Sequence, residues 1–289
     1  MPRSIEEGFE DFLIKLKATS VETEAAKSHR KSIEACLEYN FGLTRFARIG
    51  SFGNGTSISG FSDVDYLACL PTSQLTQLST HSLEKVRNAL NARFPFSGVR
   101  VNCPAVTIPF GTNRSETTEI VPADYIKEDS FKVYEIADGS GGWMKASPDA
   151  HNAYVSYVDN KLSGKVKPLI RFIKAWKYYR DVPISSFYLE MRVAKYAEQE
   201  KAIIYEIDVT NILNILWKEQ LSKIQDPMGV TGYISPCKTE NQKIEALSKL
   251  QTACTRAENA RQASHDKDIK EAFDWWDRLY YYEFPNYYY

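Results

Sequence analysis

The densest chemistry in this chain lies at Asp63-Val64-Asp65. On an extended segment, side chains at i and i+2 project from one face. Two carboxylates so placed repel unless one is protonated or a cation joins them, and hard oxygen ligands suit Mg²⁺. By itself the pair also fits a solvated edge strand. Upstream, with eleven residues between, stands Gly50-Ser51, followed by a small-residue turn running to Thr56. Small residues let backbone N–H groups approach a phosphate closely, and a serine hydroxyl can donate to it. A triphosphate cradle beside a metal-binding pair is what nucleotidyl transfer requires. Neither a GxxxxGK[ST] loop nor a GxGxxG turn is present. Two metal ions about 3.5–4 Å apart need a further acid. Glu119, in Glu119-Ile120-Val121-Pro122-Ala123 at a strand end, is the candidate, with Asp124 as the alternative.

Mixed elements must hold these groups. Helical spacing of Phe9, Phe12, Leu13 and Leu16, then of Ile33, Cys36 and Leu37, predicts two N-terminal helices. A strand is expected to lead through Phe46–Ile49 into the Gly50-Ser51 turn, and another to run over 62–70 until Pro71. A helix follows over 82–94. Strands are predicted at 99–103, 105–108 and 118–121, with a turn at Gly111-Thr112-Asn113. Residues 137–148 read as loop, and only helical periods follow, including 165–180 and 185–201. The expected division is 1–148, an α+β core with N-terminal helices, and 149–289, a helical domain. In the helix at 165–180, Val166, Leu169, Ile170, Ile173 and Trp176 form an apolar stripe. Lys167, Arg171 and Lys174 share the other side with Lys177 beside them, which reads as a cationic wall facing the carboxylates across an interdomain cleft. The aromatic tail, ending Tyr287-Tyr288-Tyr289, is expected to pack on the body.

Composition excludes several classes. Lysine plus arginine number 36 and aspartate plus glutamate 37, for a formal net charge of -1. A protein that coats duplex nucleic acid is usually strongly basic, so no stable duplex partner is expected. No run approaches a membrane span, and no signal peptide is expected. The five cysteines, at 36, 69, 103, 237 and 254, lack metal-ligand spacing and read as free thiols of a reducing cytoplasm.

The order Gly50-Ser51, Asp63-Val64-Asp65, Glu119-Ile120-Val121-Pro122-Ala123 resembles the polymerase-β-type nucleotidyltransferase superfamily. Pro168-Leu169-Ile170-Arg171-Phe172-Ile173-Lys174-Ala175-Trp176-Lys177, followed by Ile184-Ser185-Ser186-Phe187-Tyr188-Leu189-Glu190, narrows the resemblance to the bacterial CD-NTases of anti-phage (CBASS) defence, across residues 25–200. The resemblance implies a polymerase-β-like core with a helical C-terminal domain. It implies that Gly50 and Ser51 grip the donor triphosphate, and that Asp63, Asp65 and Glu119 hold two Mg²⁺ ions, with Mn²⁺ as substitute. Lys174 would contact phosphate, and Ser186 and Phe187 would contact phosphate and stack on the base. Two positions depart from the common pattern: Glu119 where Asp is frequent, and Phe187 where Tyr is frequent. The implied activity joins NTPs (ATP or GTP, or pyrimidine NTPs) into a cyclic di- or trinucleotide that activates a separate effector in a bacterial cytoplasm. The rivals are a template-independent oligonucleotide synthase or RNA-end transferase, a catalytically silent nucleotide-binding regulator, and a toxin or resistance enzyme with another acceptor. Base identity, linkage and ring size are not readable from sequence.

Overall fold

A computed structural model of the chain describes residues 4–17, 20–111 and 116–287. The turn expected at Thr112-Asn113 and the final Tyr288-Tyr289 lie outside them. In chain order the elements are α1 (Ile5–Leu16), α2 (Ser20–Phe41), β1 (Arg45–Ile49), α3 (Gly50–Asn54), β2 (Val64–Cys69), α4 (Ser79–Arg93), β3 (Arg100–Asn102), β4 (Ala105–Phe110), β5 (Glu116–Glu128), β6 (Lys132–Ala137) and β7 (Trp143–Ala146). There follow α5 (Pro148–Lys161), α6 (Val166–Tyr179), α7 (Ser186–Ala197), α8 (Tyr205–Lys218), β8 (Ile224–Gln225), β9 (Tyr233–Ile234), α9 (Glu240–His265) and α10 (Ile269–Leu279). The expected α+β class, with a mixed sheet and a helical C-terminal part, is what the structure shows. The chain divides into two compact units, residues 18–153 and residues 1–17 with 154–289.

In the first unit the sheet runs β1-β2-β5-β4-β3, with β6 on β5 and β7 on β6. Among the described residues only β2 and β5 pair in parallel. Alternation sorts the residues of its strands. Val64, Tyr66, Val106, Ile108 and Ile120 join Leu37 of α2 and Leu83, Val86 and Leu90 of α4 in one core. Asp65, Thr107 and Glu119 therefore belong to the opposite face, beside the smaller cluster of Leu67, Ala105, Val121 and Ala123.

Several boundaries differ from expectation. Residues 50–54 form a helical turn rather than an open loop. β2 begins at Val64, so Asp63 stands at its entrance. β5 does not end at Val121, because its second half pairs with β6. The glycine-rich stretch read as loop is the turn of the β6–β7 hairpin. The Asp138 carboxylate closes it, accepting from the backbone N–H groups of Ser140 and Gly142.

The second unit is helical apart from the small β8–β9 hairpin. It includes α1, which the expected division at 148 assigns to the first domain. The reason is packing. Phe9 is fully buried, with its ring 4.9 Å from Phe172, 5.0 Å from Trp276 and 5.2 Å from Phe284. Ser4 and Glu7 form a capping box that starts the helix. The aromatic tail divides: Tyr280 and Phe284 are buried among these rings, whereas Tyr281 and Tyr282 are exposed. Among the described residues no helix is long and apolar enough to cross a membrane.

Candidate active site

Strand register brings the acids together. Ile49 on β1, Asp65 on β2, Glu119 on β5, Thr107 on β4 and Arg100 on β3 are successive partners across the sheet. Direct partners on neighbouring strands project to the same face. Asp65 and Glu119 thus lie side by side, one inter-strand spacing of about 4.8 Å apart at the backbone. Asp124 falls on the other face by alternation and accepts a hydrogen bond from the Thr72 hydroxyl at 2.8 Å. Glu119 is itself held: its Oε1 accepts from Thr107 Oγ1 at 3.0 Å and from Asn102 Nδ2 at 3.1 Å. Neither Thr107 nor Asn102 belongs to a motif recognisable by spacing. The one sign of Thr107 is a lone hydroxyl in the buried strand Ala105–Phe110.

Gly50 follows β1 and opens α3 with φ +59°. A Cβ on Gly50 would come within 1.9 Å of Asp65 Oδ2 and 2.8 Å of its Cγ. Close approach to a phosphate is one reason to expect glycine here. The structure adds another, since the glycine leaves room for the Asp65 carboxylate. The 55–62 loop returns the chain to Asp63 through reciprocal bonds, Ile58 N to Ser62 Oγ (2.9 Å) and Ser62 N to Ile58 O (3.0 Å). Asp63 is exposed, and Asp65 and Glu119 are half-buried. The donor set suits a hard divalent cation: all are carboxylates, Asp65 and Glu119 stand in direct register, and the Asp65 carboxylate takes the space that a Cβ on Gly50 would need. Among the described residues no group of three or more acidic, histidine or cysteine side chains is gathered closely enough to hold a metal ion.

In the helical unit, α7 begins with Ser185 as its cap, the hydroxyl accepting from Tyr188 N. Ser186 and Phe187 form its first turn. Phe187 is 36% exposed while its neighbours Tyr188 and Leu189 are fully buried. Burial pushes the Tyr188 phenol up to about 12. Lys177 Nζ donates to Ser186 Oγ at 2.6 Å, and the Tyr178 hydroxyl lies 3.2 Å from the same oxygen. Lys174 departs from expectation. It is wholly buried, and its Nζ donates to Glu190 Oε1 at 2.8 Å. The physical reason is that α6 is covered by α1, α7 and α8. The side expected to be a cationic wall is partly interior, and a cation there must be paired. Burial also lowers the Arg171 guanidinium, opposed by the nearby charges of Asp159 and Glu190.

The family model described as Second Messenger Oligonucleotide or Dinucleotide Synthetase domain matches residues 4–158. A probable cyclic nucleotide synthase of Bacillus cereus is 28% identical over 240 residues, 78% of this chain and 69% of that protein. The structure resembles Escherichia coli MS115-1 CdnC, solved with ATP: TM-score 0.75 and 17% identity, over 97% of this chain and 99% of that one. It also resembles the Vibrio cholerae cyclic AMP-GMP synthase DncV, solved with a linear pppApG intermediate: TM-score 0.74 and 16% identity, over 94% and 93% of the two chains.

Proposed function

The chain belongs to the Second Messenger Oligonucleotide or Dinucleotide Synthetase domain family, and from that premise we propose that it is a nucleotidyltransferase that joins NTPs into a cyclic di- or trinucleotide with release of pyrophosphate. What carries the reading is the register of Asp65 with Glu119 and the fit of Asp65 against Gly50. Mg²⁺, with Mn²⁺ as substitute, would be held by Asp63, Asp65 and Glu119, and would supply neutralisation of triphosphate charge and a more acidic acceptor hydroxyl. Gly50 and Ser51 hold the donor triphosphate, the serine hydroxyl donating to a phosphate oxygen. The acceptor ribose oxygen attacks the α-phosphorus, its proton passes to the carboxylate of Glu119 or Asp65, and pyrophosphate departs in line. Glu119 and Asp65 orient the acceptor hydroxyl for that attack. The same residues then act on the linear intermediate to close the ring.

In the helical unit, Phe187 offers an exposed face to a nucleobase. Ser186 and Lys177 offer a hydroxyl and an ammonium to phosphate. Lys174 has its ammonium committed to Glu190 and braces α6 against α7 beneath them. The product would activate a separate effector in anti-phage signalling. The test is incubation with all four NTPs and Mg²⁺ or Mn²⁺, followed by phosphatase and mass spectrometry. A phosphatase-resistant cyclic product, absent with Asp63→Asn/Asp65→Asn, is expected. Linear oligonucleotides alone would point to the template-independent synthase instead.

A further inference from the structure

β4 is buried along its whole length, and its sequence Ala105-Val106-Thr107-Ile108-Pro109-Phe110 is apolar but for one residue. Thr107 is 1% exposed. Burying a hydroxyl costs stability unless it is bonded, and valine would fill the same space without that cost. The hydroxyl instead donates to Glu119 Oε1 at 3.0 Å. From β3, at the sheet edge, Asn102 Nδ2 donates to that same oxygen at 3.1 Å. Both donors therefore engage one carboxylate oxygen and neither engages Oε2. Arg100, the strand partner of Thr107, closes the row on the same face.

We infer that Thr107 and Asn102 are positioning residues that clamp Glu119 through Oε1, fix the plane of its carboxylate and present Oε2 as the metal-ligating oxygen on the side of Asp65. The clamp answers a problem peculiar to a glutamate here. Its extra methylene adds a rotatable bond between backbone and ligand, and an unrestrained carboxylate would spend most of its time out of place. Two neutral donors on one oxygen remove that freedom without neutralising the charge the cation needs. Partners that orient a ligating carboxylate typically change metal affinity or activity 10–100-fold when removed.

This rests on the proposed nucleotidyl transfer only for its kinetic readout. Binding of Mn²⁺ alone, followed by the electron paramagnetic resonance signal of the free ion, does not depend on turnover. Thr107→Val is expected to weaken Mn²⁺ binding about 10-fold and lower kcat for pyrophosphate release about 10-fold or more. The KM for NTP should stay within about threefold, and the Tm should not fall. Thr107→Ser, which restores the hydroxyl, should return both quantities to near the parent values. Asn102→Ala, at an exposed edge, should shift Mn²⁺ binding in the same direction by about 3-fold or more and serves if the valine variant misfolds. Glu119→Gln sets the limit of the effect. Mn²⁺ affinity unchanged in Thr107→Val and Asn102→Ala, or in Glu119→Gln, overturns the inference. So does failure of serine to rescue, which would mark a packing defect. A parent protein that releases no pyrophosphate from any NTP, yet shows this Mn²⁺ pattern, would sink the proposed function and leave the clamp standing.

Discussion

Gly50→Ala tests whether Asp65 owes its position to a missing side chain. The added Cβ would meet Oδ2 at 1.9 Å, Cγ at 2.8 Å and Cβ at 3.1 Å, where ordinary contact is 3.4–4 Å. All the nearest atoms belong to Asp65 itself, so the carboxylate must swing away by about 1.5 Å. The backbone at φ +59° adds about 1–2 kcal/mol for a non-glycine residue in the left-handed region. For a domain of this size that strain lowers Tm by roughly 2–8 °C. A ligand misplaced by about 1 Å can cost about 100-fold in rate, so kcat for pyrophosphate release should fall about that far in a protein that still folds. The two effects separate in an Asp65→Ala background, where the clash partner is gone. There Gly50→Ala should cost only the backbone strain, a non-additivity expected of touching residues. Gly50→Ala that keeps its rate within threefold of the parent, or the same Tm loss in both backgrounds with no fall in rate, would refute the reasoning.

Phe187→Ala should weaken NTP binding roughly 5- to 150-fold, since base stacking is worth ~1–3 kcal/mol. Because Phe187 is 36% exposed, Tm should fall less than for a fully buried phenylalanine, and unchanged affinity by calorimetry would remove Phe187 from the site. Lys174→Ala leaves Glu190 buried without its ion-pair partner, a loss of about 3–5 kcal/mol. Tm should drop by roughly 10 °C and largely recover in Lys174→Met/Glu190→Leu, and a Lys174→Ala protein as stable as the parent contradicts the buried pair. Burial first, then Asp159, Glu10 and Glu6, push the Tyr205 phenol up to about 12. Its folded pKa lies above the unfolded value of about 10, so its contribution is intact below pH 10 and is lost as pH rises toward 12, a loss on the order of a few kcal/mol. Tyr205→Phe should therefore unfold in urea with a shallower loss of stability between pH 10 and 12 than the parent, and equal slopes would exclude the phenol.

What the sequence by itself determined is what short-range chemistry encodes. Gly50-Ser51 and Asp63-Val64-Asp65 are separated by eleven residues, close enough in the chain for their types and spacing to mark them as candidates. The α+β class and the helical second half follow from periodicity in the same way, and residues 4–158 match the family model accordingly. Tertiary structure decided whatever depends on partners distant in the chain. That Glu119 rather than Asp124 stands beside Asp65 is a matter of β2–β5 register, and a shift of one residue would have turned it to the other face. The clamp by Thr107 and Asn102 needs three strands in place before a lone hydroxyl acquires meaning. The hairpin strands β6 and β7 form because they have each other and β5 to pair with, which no local propensity reports. Lys174 sits at the helical period of an exposed cation, yet α7 carries Glu190 over it. Likewise α1 joins the distant helices because Phe9 finds its apolar neighbours there. A helix face is polar or buried only relative to what covers it, and that covering is set by contacts the local pattern does not contain.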